Sequence, residues 1–214
     1  MQSKIKHYLF LRKYSHFAEY GGCEKHILNW FREIEHQKIK VTLAVSRGKK
    51  YLFEERIKKN NFPVDIVEFP FDFKKNFMGR FFDLFSFLMT IKPTHVVYIQ
   101  GGSFFEFNLA DALAGFLYTK GNVFISEHIG ALAPRTKTSR YHFGFISGLS
   151  LWWYKEMAFY LLQAYLARRI LALSNGVKER LVEWYGYPEK KIFVAYQGID
   201  INTFKPDLTT KQNM

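Results

Sequence analysis

Short apolar runs alternate along this chain with longer stretches in which apolar residues return every three or four positions. Lys6 to Leu11, Val41 to Val45, Val64 to Phe69, Val96 to Ile99, Val123 to Ser126, Ile170 to Leu173 and Ile192 to Ala195 are bounded, β-branched or aromatic runs, and they predict seven strands. After the first, Cys23, Ile27, Trp30, Phe31 and Ile34 fall on one helical stripe, while Glu24, Lys25, Arg32, Glu33 and Glu35 are expected to face water. Asn108 to Tyr118 and Leu151 to Leu166 carry the same spacing. The best punctuated unit follows the sixth strand. Ser174 or Asn175 can cap a helix whose stripe is Val177, Leu181, Val182 and Tyr185, and Gly186 and Pro188 end it before the seventh strand begins. Strands and helices in alternation predict an α/β fold, a Rossmann-like parallel sheet with helices on both faces.

Composition narrows the class. A hydrophobic share of 48% in 214 residues supports a single sizeable core. Lys and Arg number 31 against 19 Asp and Glu, a net charge of +12, so the surface favours anionic partners: phosphorylated substrates, acidic headgroups or nucleic acid. With one cysteine, Cys23, no internal disulfide can form, which fits a reducing cytoplasm. The apolar stretch Tyr8 to Leu11 is too short for a signal-peptide core. Phe81 to Ile91 and Phe143 to Ala167 are interrupted by Asp83 and by Lys155-Glu156, short of the ~20 uninterrupted apolar residues a spanning helix needs. A soluble protein is expected, cytoplasmic or peripheral at the inner face of the cell membrane.

Candidate chemistry gathers where predicted strands end, because ligands of parallel α/β sheets bind at the carboxyl edge. Between the first strand and the first helix lie Glu19, Tyr20, Gly21, Gly22 and Glu24. The two glycines let a backbone approach a ligand closely, and the free N–H groups of a helix start attract phosphate. They can equally make a plain tight turn, with Glu24 complementing the helix dipole. Gly102 and Ser103 follow the fourth strand and offer N–H groups and a hydroxyl, or again only a turn. Glu127 and His128 follow the fifth. The imidazole can donate to a sugar hydroxyl or a phosphate oxygen, or simply cap the next element, and Glu127 can orient it or bind an acceptor hydroxyl. Ser174 and Asn175 are helix caps first and cleft residues second. No H-E-x-x-H, C-x-x-C, Walker A, G-x-S-x-G or Asp-x-Asp motif occurs, so the expected site holds no metal.

The order of these features, with Gly21-Gly22-Cys23-Glu24 early and Tyr196-Gln197-Gly198-Ile199-Asp200 before Phe204-Lys205-Pro206 late, resembles the N-terminal domain of the family 4 retaining glycosyltransferases of GT-B fold. The resemblance covers most of residues 4–206. It implies an acceptor-side domain over residues 1–206, with 207–214 starting a linker or tail and the donor domain absent. It further implies that Gly21, Gly22 and Glu24 face the diphosphate of a nucleotide-sugar donor, expected to be a UDP-sugar, and that His128 adjoins the sugar. No cofactor is implied, and the acceptor would be a glycan or a lipid-linked molecule. Gln197 stands where the family has Asn. Two basic-aromatic segments, Phe71 to Phe82 and Arg140 to Lys155, suit an anionic membrane surface, with nucleic acid the less favoured partner. A non-enzymatic basic module binding anionic lipid or nucleic acid is the alternative reading.

Overall fold

Strands that are apolar on both sides leave no face for water, and all seven become neighbours in one parallel sheet. The computed structural model describes residues 5–13, 22–34, 37–70, 76–100, 107–127, 158 and 160–196. In chain order the elements are β1 (Lys6–Arg12), α1 (Gly22–Ile34), β2 (Ile39–Val45), α2 (Tyr51–Lys59), β3 (Val64–Glu68), α3 (Phe77–Ile91), β4 (His95–Gln100), α4 (Leu109–Thr119) and β5 (Val123–Glu127). They continue with α5 (160–166), β6 (Arg169–Ala172), α6 (Asn175–Tyr185) and β7 (Ile192–Val194). The strand order is β3-β2-β1-β4-β5-β6-β7, every pair parallel. The chain therefore winds outward from β1 to β3, returns across β1, and winds the other way from β4.

Alternation along each strand divides the core in two. Phe10, Leu43, Val97 and Ile99 pack under Ile27, Phe31 and Phe53 of α1 and α2. On the opposite face Leu9, Tyr98, Ile125 and Ile170 meet Leu84 and Leu88 of α3, Ala114 of α4, Ala164 of α5 and Leu181 of α6. A groove of about 320 Å³ lies beneath the C-terminal half of α1, lined by Tyr8, Phe10, Trp30, Ile34, Phe124 and Leu171.

Local signals decide the helix ends. The Ser174 hydroxyl accepts the Val177 N–H at 3.2 Å, so of the two candidates Ser174 is the cap. Gly186 closes α6 with φ 66°, a left-handed turn that favours glycine. One expectation for α1 fails. Glu24 does not face water; it is buried with Ile27 and Phe31, because Arg12 neutralises it from the end of β1.

His7 and His26 are buried and His95 is half-buried, and all three are harder to protonate than a free imidazole. Burial lowers the pKa of His7, His26 and His95, and nearby cations add to it, Lys40 at His7 and Lys6 and Arg168 at His95. A base depressed in the folded state binds its proton first in the unfolded chain, so stability is lost as pH falls below the unfolded value of 6.5. The urea midpoint is expected to drop between about pH 7 and pH 5, and to drop less in His26→Phe, which keeps the edge contact with Trp30. A midpoint that is flat or rises on acidification contradicts this account.

Candidate active site

The winding reverses between β1 and β4, the place where a doubly wound sheet opens a crevice at its carboxyl edge. Register aligns the strand ends there. Arg12 pairs with Ile99, Gln100 with Glu127, and Glu127 with Ala172. β1 and β5 flank β4, about 10 Å apart at two strand spacings.

Into this edge α1 sends its N-terminus. Among the described residues a Cβ added to Gly22 would meet nothing within 4 Å, so their packing gives no reason for a glycine here. Two residues later Glu24 is tied down. Its Oε1 accepts from Arg12 Nε and Nη2, both at 3.4 Å, while Arg12 Nη1 donates to the Lys13 carbonyl at 3.1 Å. Both side chains are at least 94% buried. The pair joins the last residue of β1 to the first turn of α1 and so fixes the helix end that faces the crevice.

Gln100 and Glu127 stand side by side on the face packed by α3 to α6, both buried. Gln100 Oε1 has no hydrogen-bond partner among the described residues, an acceptor at the switch point left unused. Below them the Tyr187 hydroxyl is pushed well above its usual range, first by burial and then by the Glu127 carboxylate. Across β6, the Ser174 hydroxyl is spent on its cap and Asn175 is exposed at the same edge.

The structure thus brings Gly22, Glu24, Glu127, Ser174 and Asn175 to one edge of the sheet. Glu19, Tyr20, Gly21, Gly102, Ser103 and His128 lie outside the described residues, as do the segment Arg140 to Lys155 and residues 197–206. Arg12 and Gln100 were missed as site residues by sequence reasoning. A cation closing an apolar strand just before a glycine loop is the signal that marks Arg12. The apolar groove beneath α1 lies toward the opposite, amino edge, and carries none of this chemistry.

A family model described as Glycosyltransferase Family 4 matches residues 20–203. No curated protein matches the chain. Among solved structures, a glycosyltransferase from Rickettsia africae ESF-5 superposes with a TM-score of 0.60 at 16% identity, covering 98% of this chain and 48% of that one. Anabaena HepE in complex with UDP and glucose gives 0.53 at 16% identity, covering 96% and 48%. The UDP-GlcNAc 2-epimerase from Neisseria meningitidis bound to UDP-GlcNAc also gives 0.53 at 16%, covering 96% and 52%. The chain spans about half the length of these structures.

Proposed function

Because the chain belongs to glycosyltransferase family 4 and has the N-terminal GT-B fold, we propose that it forms the acceptor-side half of a retaining transferase. The reaction moves a hexosyl group from a UDP-sugar to a glycan or lipid-linked acceptor, in polysaccharide or cell-envelope glycan synthesis, in the cytoplasm at the membrane's inner face. The observation that carries this reading is the N-terminus of α1 at the β1/β4 switch point, braced by Arg12 and Glu24. N–H groups of Gly21 and Gly22, at the positive end of the helix dipole, serve the donor diphosphate. His128 donates to the sugar or its phosphate. Glu19, Tyr20, Gly102, Ser103, Glu127, Ser174 and Asn175 line the acceptor side. Diphosphate departs from the face on which the acceptor enters, its charge held by preorganised donors without a metal. Bound UDP and UDP-GlcNAc in two of the similar structures support the choice of base.

Since the chain covers about half of each similar structure, the residues alone are expected to bind donor weakly and to turn over little or not at all. Calorimetric titration checks this. UDP and UDP-glucose should bind saturably, and His128→Ala should weaken them about three- to tenfold, the loss of one hydrogen bond. Equal heats from UDP and inorganic sulfate, or unchanged affinity in a folded His128→Ala, would sink the assignment.

A further inference from the structure

The helical layer on the α3 side is unusual in what it shows to solvent. Phe77, Met78, Phe82 and Met89 of α3 and Leu117 of α4 are each 42% to 58% exposed, and Leu162 and Tyr165 of α5 extend the set. Met78, Phe82 and Met89 follow one helical stripe, opposite the Leu84 and Leu88 stripe that enters the core. α3 and α4 lie against each other, joined by the Phe85–Tyr118 edge contact at 5.8 Å and by the buried Arg80–Asp111 pair. Carboxylates are nearly excluded. The two helices hold only Asp111, fully buried on Arg80, and Asp83, half-buried.

Cations frame this apolar face. Lys92 and Lys120 are exposed and form the C-caps of α3 and α4, both left-handed, with φ 56° and 53°. Glycine is the favoured residue in that conformation, so backbone preference does not explain lysine at both sites. Lys6 and Arg168, also exposed, stand at the same amino edge of the sheet, and in the sequence Lys74 and Lys75 immediately precede α3.

We propose that the outer face of α3 and α4 docks on an anionic lipid bilayer. Phe and Met side chains enter the boundary between headgroups and acyl chains, and lysines at the helix ends meet lipid phosphates while their aliphatic stems stay in the apolar layer. The assignment goes beyond the transfer reaction and does not depend on it. Phe77 and Met78 open α3 at the carboxyl end of β3, the outermost strand and two strands from β1, while Met89, Leu117, Lys92 and Lys120 stand toward the amino edge, so the docking residues lie apart from the β1/β4 crevice.

Flotation with phosphatidylcholine vesicles, with and without about one quarter phosphatidylglycerol, tests the surface. Binding should require the anionic lipid and weaken as salt rises. Met78→Gln/Phe82→Gln/Met89→Gln should lose at least tenfold in vesicle affinity, with far-UV circular dichroism unchanged because the residues removed are exposed. Lys92→Gln/Lys120→Gln should lose about fivefold for each lysine. UDP affinity should not move in either variant, which separates this result from that of the donor titration. Equal binding to neutral and anionic vesicles, wild-type binding by the folded triple variant, or tighter binding to single-stranded RNA than to anionic vesicles would overturn the proposal.

Discussion

Replacing Glu24 with Ala is expected to lower the unfolding free energy by about 3–5 kcal/mol, far more than a first-turn helix glutamate would ordinarily cost. The reason is Arg12. Its guanidinium is almost fully buried, and Glu24 is its carboxylate, with two donor nitrogens on one oxygen. Removing the acid takes the Glu24 carboxylate away from a desolvated cation. Glu24→Gln keeps an acceptor but loses the charge, and should fall between Ala and wild type. The double variant Arg12→Met/Glu24→Leu should lose less than either single change, since an apolar pair in that space carries no uncompensated charge. Urea unfolding of the set gives the answer directly. A loss in Glu24→Ala within about 0.5 kcal/mol, the range of an exposed residue, would show that the pair does not brace α1. If it does, UDP affinity should drop in Glu24→Gln as well, because the helix end facing the crevice is no longer held.

That pair also marks a boundary of what the chain discloses. Seven strands were legible because each is a short, bounded run rich in β-branched or aromatic residues, nearly continuous and buried on both faces in the central β4 and broken by polar positions in the outer β3, and the bounds moved by only a residue or two. Helix α6 was legible from Ser174 and Gly186, whose roles are local. Glu24 was not. It stands three and four positions before Ile27 and Leu28, so spacing places it on the apolar stripe, yet a carboxylate reads as solvent-facing until its partner across the loop is known. The outward face of α3 was hidden for the opposite reason. Apolar residues surround that helix, which blurs the period that would separate core from surface. Of the candidate site, the carboxyl-edge position of Gly22, Glu127 and Asn175 follows from strand order alone. The unused acceptor on Gln100 does not, because hydrogen-bond satisfaction depends on distant neighbours.

The greatest loss is expected at Asp111. Its carboxylate is fully buried, accepts from Arg80 Nη2 and Nε, and takes the Asn108 N–H at 2.8 Å in the capping box of α4. The Tyr98 hydroxyl donates to its main-chain carbonyl. Asp111→Ala takes a paired carboxylate from the buried Arg80 guanidinium and opens the cap, a combined cost of about 4–5 kcal/mol against a domain stability of about 5–15. The variant should therefore be recovered mostly as aggregate. Gly115→Ala probes the same cluster from another side. Its Cβ would lie 2.5 Å from the Tyr98 hydroxyl, so overpacking should cost about 1–3 kcal/mol. Burial raises the Asp111 pKa more than Arg80 lowers it. As pH falls through that raised value the folded protein takes up the proton first, so this group adds stability on acidification until the unfolded carboxyl protonates near 3.8. The pair is thus costly relative to an apolar replacement, and Arg80→Met/Asp111→Leu should regain soluble, folded protein. If Asp111→Ala melts within a degree or two of wild type, or the double variant unfolds as readily as the single, the cluster does not hold α3 to α4 in the way its geometry indicates.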